Sequence, residues 1–96
     1  MQLTLITISS GAEAMFDGGA ARLIDTLWAA ARVEDAVEHI SVLAVRGRID
    51  IGVFSVSMDQ VTARKVACDL VERALVMSPQ LRRWDVAGTV PGLAGT

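Results

Sequence analysis

Few side chains in this sequence can do chemistry near neutral pH, and their spacing is sparse. His39 is the one imidazole, and a group that titrates near neutrality can act as a general acid or base. It stands where a loop enters the β-branched run HISVLAVR at 39–46. Strand alternation then puts His39 on the same side as Ser41 and Phe54, and with Trp84 these form the candidate ligand-binding set. Asp50 is the second weak candidate for acid–base work. The competing reading of His39 is a partly exposed strand-entry residue beside Glu38, so no catalytic residue is assigned outright. Cys68 falls in the middle of a helical stretch, with Arg64 one turn earlier as its obvious cation. A reactive thiol needs a helix N-terminus or a close cation to lower its pKa, so Cys68 reads as a small hydrophobe at a packing boundary. A Cys68–His39 mechanism requires both on the same side of the fold. One His and one Cys do not supply the three or four ligands of a zinc site. No metal and no cofactor are expected.

Two nucleic-acid or phosphate readings also fall short. The segment SSGAEAMFDGG at 9–19 is rich in small residues and leads into a helix, where backbone N–H groups can hold an anion. It matches neither GxGxxG nor a Walker A pattern, and Glu13 and Asp17 would repel phosphate. Arg82-Arg83 beside Trp84 is the one local basic–aromatic cluster. An RNA-binding sheet needs stacked aromatics on its central strands within a basic surround, and here Phe54 stands alone. No nucleic-acid partner is expected.

The composition sets the frame for these residues. The chain has 96 residues, of which 52% are hydrophobic and 21% charged, with a formal charge of -2. That length suits one small domain with one core, and the apolar content excludes a disordered chain. A single cysteine excludes an internal disulfide framework, and the acidic balance argues against binding a polyanion. Eight arginines stand against the single Lys65, with no Tyr and no Asn. That bias is read as the coding fingerprint of a G+C-rich bacterial genome. The start MQLTLITISS lacks a basic n-region, and no stretch reaches the roughly 18 apolar residues of a membrane span. With a free thiol, the expectation is a cytoplasmic protein without a membrane partner.

The elements that must position the candidate residues follow from periodicity. Residues 2–9 read as a strand. Phe16, Ala20, Leu23, Ile24, Leu27, Trp28 and Ala31 recur at steps of three and four, predicting a helix at about 15–34 with Asp17 as N-cap. The runs 39–46 and 49–58 flank Gly47-Arg48, a pair that suits a two-residue type II′ hairpin. That register opposes Ala44 to Ile51, Val42 to Val53 and Ile40 to Ser55. Ala63, Val66, Ala67, Leu70, Val71, Ala74 and Leu75 make an unbroken helical stripe. Ser57 and Asp59 compete to cap it, and Pro79 ends it. LRRWDVA at 81–87 reads as a last strand, followed by a flexible tail at 88–96 that could hold a partner protein.

The order βαββαβ over 2–87 resembles the ferredoxin-like superfold, an α+β arrangement with two helices on one face of a four-stranded antiparallel sheet. Residues 1–87 then form one domain. The sheet's other face keeps Leu43, Val45, Phe54, Val56 and Met58, more apolar surface than a monomer leaves in water. Homodimerisation through that face is the expectation. Two functions remain in view. One is a small non-catalytic accessory, adaptor or ligand-sensing protein acting through protein–protein contacts. The other is a cofactor-independent enzyme similar to the dimeric α+β barrel group, which the resemblance would assign a secondary-metabolite or modified-peptide substrate.

Overall fold

Strand β1, Gln2–Ser9, is apolar on both sides: Thr4, Ile6 and Ile8 are buried, while Leu3 and Leu5 point the other way. A strand with two apolar faces belongs in the middle of a sheet, and β1 is there. The computed structural model describes residues 2–10, 19–56, 59–81 and 83–91. In it β2 (Val37–Val45), β3 (Arg48–Ser55) and β4 (Asp85–Pro91) join β1 in one antiparallel sheet, in the order β2-β3-β1-β4. Helix α1 (Gly19–Ala30) follows β1 and helix α2 (Gln60–Met77) follows β3. The fold is therefore α+β, with a four-stranded antiparallel open sheet and two helices.

One core joins these parts. Leu23 and Leu27 of α1, Leu70 and Val71 of α2, and Ile6, Ile8, Ile40, Ile49, Ile51 and Val53 of the sheet are buried in a single cluster. All the sheet members have the same parity along their strands, so both helices lie over one face. Ala63, Ala67 and Ala74 are also buried, and their small side chains bring α2 close to the strands. The Cα radius of gyration is 12.4 Å, against about 12.5 Å expected for a folded chain of this length.

Several boundaries differ from the sequence reading, each for a local reason. The predicted helix at 15–34 ends at Ala30, and its first residues, with Phe16 and Asp17, lie outside the described residues. The Asp35 carboxylate accepts from the Arg32 N–H at 2.8 Å, an alternative to the helical bond that stops the helix. A 3-10 turn, Val33–Asp35, then hands the chain to Ala36 in the left-handed region at φ 53. Trp28, expected on the buried stripe, is 43% exposed at the flank of α1.

The hairpin turns at Arg46-Gly47, not Gly47-Arg48. The pairs are Ala44 with Ile49, Val42 with Ile51 and Ile40 with Val53. Gly47 has φ 78 and is the second central residue of the turn, so its conformational freedom is used one position later than predicted. The sliding changes every partner by two residues, which preserves which side chains share a face. Ser55, assigned to the apolar face, is fully buried there.

Asp59 caps α2, accepting from the Thr62 N–H at 2.7 Å; Ser57, its competitor, lies outside the described residues. The helix ends at Met77, before Pro79. The predicted strand at 81–87 is displaced to Asp85–Pro91. After Pro79 the chain makes a 3-10 turn, with Leu81 N–H donating to Ser78 and Trp84 N–H to Leu81. Pairing with β1 therefore begins only at Asp85, and residues 88–91, read as tail, complete β4. Residues 92–96 lie outside the described residues. No helix among the described residues is long and apolar enough to cross a membrane.

Candidate functional site: the uncovered sheet face

The face away from the helices is built of cross-strand rows. The first crosses Val45, Arg48, Ser9 and Asp85; the second crosses Leu43, Asp50, Thr7 and Gly88. The third brings Ser41, Gly52 and Leu5 together, and the fourth His39, Phe54 and Leu3. Strand pairing alone puts all these side chains on one surface. Leu43 is 61% exposed and Leu5 38%, so the apolar face anticipated from the sequence exists and carries no covering element of this chain among the described residues. Val45 and Phe54 belong to it, Val56 stands exposed just beyond β3, and Met58 lies outside the described residues. Leu3 and Leu5 are the members that sequence reasoning missed. The signal was their odd-numbered alternation against Thr4, Ile6 and Ile8, obscured because both sides of β1 carry apolar residues.

Three of the four residues in the candidate ligand-binding set share this surface, and the fourth does not. His39 and Phe54 pair directly, with ring centroids 5.4 Å apart and planes tilted by 56°. Ser41 is one row away. Trp84 is 4% exposed and packs in the core cluster with Leu81, on the helix side of the sheet. Its buried ring leaves Arg83 exposed beside no free aromatic face. Val86 also belongs to the helix side, because it pairs with the buried Ile8.

Asp50 and His39 do not converge. Asp50 is four residues along β3 from Phe54, the partner of His39, a separation of roughly 13 Å at the rise of a strand. What Asp50 does touch is polar. The Thr7 hydroxyl donates to Asp50 Oδ1 at 2.8 Å, and Arg48 Nε lies 3.6 Å from Oδ2. Between this pair and Ser41 the surface dips over Gly52. The hollow measures about 410 Å3 and is walled by Leu5 and Leu43.

Cys68 lies under the other face. Its Sγ is 3.5 Å from the Thr89 hydroxyl of β4, so the sheet separates it from His39 and a Cys68–His39 mechanism fails. Among the described residues no group of three or more His, Cys, Asp or Glu is arranged to hold a metal ion. The sequence reading also missed one polar assembly. Asp35, nearly buried, accepts from Arg73 Nη2 of α2, while Arg73 Nε donates to the Ala30 carbonyl at 3.1 Å. This arrangement caps the C-terminus of α1 with a cation and ties the two helices together. Its function is architectural, and its 38-residue separation hides it from any local pattern.

No protein-family model matches the chain, and no curated protein or solved structure matches it.

Proposed function

We propose that this protein is a small non-catalytic homodimeric module, an accessory or ligand-sensing protein, whose two copies meet through the uncovered sheet faces. The carrying observation is the apolar surface of Leu3, Leu5, Leu43, Val45 and Phe54 on the three adjacent strands β1, β2 and β3. Strands about 26 Å long at ~4.8 Å spacing give a footprint of about 500 Å2 per copy. Two copies would bury about 1,000 Å2, the lower bound of a specific interface. The free edges are less suited to assembly. Each carries a bulge, at Glu38 in β2 and at Ala87 in β4, and bulges blunt edge pairing. We further infer a ferredoxin-like arrangement. Support for it comes from the βαββαβ order together with a strand order that reads β4-β1-β3-β2 from its other end.

Sedimentation equilibrium at micromolar concentration tests the assembly. The expected species has twice the 10.2 kDa chain mass, and Leu43→Asp returns it to the monomer. A monomer in the parent protein overturns the reading.

A further inference from the structure

We propose that the hollow over Gly52 is a ligand site completed by the second copy, and that it takes a small, flat, uncharged ring bearing a hydroxyl donor. The inference rests on the face-to-face dimer.

The position comes first. The hollow spans the two middle rows of the face, over β3 and its two neighbours β1 and β2. A two-fold axis passing over β3 sets one hollow against its copy, and two of about 410 Å3 each enclose a chamber of the size small-molecule sites have. The glycine sets the floor. Without a Cβ at position 52, Ser41 Oγ, Leu3 Cδ1 and Leu5 Cδ2 lean over the backbone, where a Cβ would meet them at 2.5, 3.4 and 3.6 Å.

The chemistry of the lining selects the ligand. Leu5 and Leu43 give flat apolar walls. The polar groups are acceptors. Thr7 spends its proton on Asp50 Oδ1 and keeps an oxygen lone pair. Asp50 Oδ2 is 3.6 Å from Arg48 Nε, beyond a hydrogen bond, and retains its accepting capacity. Ser41 adds a hydroxyl that can accept. An acceptor-rich rim on an apolar cleft calls for a donor on an apolar ring. Arg48 offsets the charge of Asp50, so the ring need not be cationic, and an anion would meet the carboxylate.

The test is a titration of the intact protein with phenol, followed by backbone amide NMR shifts and accompanied by sedimentation. Expected are saturable shifts centred on Leu5, Ser41, Asp50 and Gly52, with toluene and benzoate each binding at least about ten-fold more weakly. Asp50→Asn, which keeps the shape and the Thr7 contact, should weaken phenol about ten-fold or more and leave the dimer mass unchanged. A dimer that gives no saturable shifts at these amides overturns the ligand site and leaves the assembly standing. So does equal binding of phenol and toluene. A monomer in sedimentation overturns the assembly, and this inference with it.

Discussion

A methyl group at position 52 would collide with the Ser41 hydroxyl at 2.5 Å, and Leu3 and Leu5 stand close behind it. Ser41 can rotate away, but only into space shared with Leu5 and Leu43 around the same hollow. Gly52→Ala should therefore destabilise the fold by about 1–2 kcal/mol, the range of mild overpacking. In a Ser41→Gly background the penalty should fall by at least half, because two residues in contact do not act additively. A double-mutant cycle by urea denaturation measures this. Asp59 makes a second prediction at the same scale. Its carboxyl is held below the usual carboxylate range by the Thr62 backbone N–H first and the Thr62 hydroxyl second. A lowered native pKa gives stability that is present above the unfolded value and is lost as pH falls through the folded one. Asp59→Asn, which preserves the cap, should flatten the decline in thermal midpoint below about pH 4.

The contact between α1 and α2 depends on more than apolar stripes. Asp35 and Arg73 meet where α1 ends, and the same guanidinium closes the Ala30 carbonyl while the same carboxylate holds the Arg32 N–H. Asp35→Ala strands a partly buried guanidinium and an N–H at once. Breaking a fully buried pair costs about 3–5 kcal/mol. Arg73 retains some solvent access, 23% of its side chain, which reduces the expected loss to about 2–3 kcal/mol. Hydrogen exchange should show the greater part of that loss as faster opening of residues 30–36. Replacing both residues by leucine and methionine should recover only the part due to the stranded guanidinium, since the Arg32 N–H and the Ala30 carbonyl still lose these partners. The strands show the same division between local and distant causes. Alternation was enough to sort Ile40, Val42 and Ala44 from Ser41 and Leu43. The partner of each depended on where the turn closed, and Gly47 fits either of two adjacent two-residue turns.

At the scale of the molecule, one sheet face is sealed by two helices and the other is open and apolar. An isolated 96-residue chain has a modest core, so covering the second face would add a substantial fraction to its stability. This gives Leu43→Asp its diagnostic value: the exposed side chain sits in the second row, beside Asp50. In a free monomer a carboxylate there remains hydrated and changes stability little. In a closed seam it would be buried beside Asp50, which already engages Arg48, and the dimer dissociation constant should rise at least about a hundred-fold. Equal thermal stability at low protein concentration, with a lost dimer at high concentration, is the expected signature.

The sequence by itself determined the element types, the α2 stripe, Leu23 and Leu27 of the α1 stripe and the sides of the residues in β2 and β3, because period is a local property of the chain. Strand β1 was legible to the residue, and α2 nearly so, from Ala63 to Leu75. Tertiary structure decided the rest. The place of Trp84 depended on a 3-10 turn that holds it over the core, and the extent of β4 on pairing with β1. Leu3, Leu5, Thr7, Asp50 and Gly52 became one surface only when β1 came between β3 and β4. Adjacency across 40 or more residues is set by which strands share hydrogen bonds, and no local pattern carries that information.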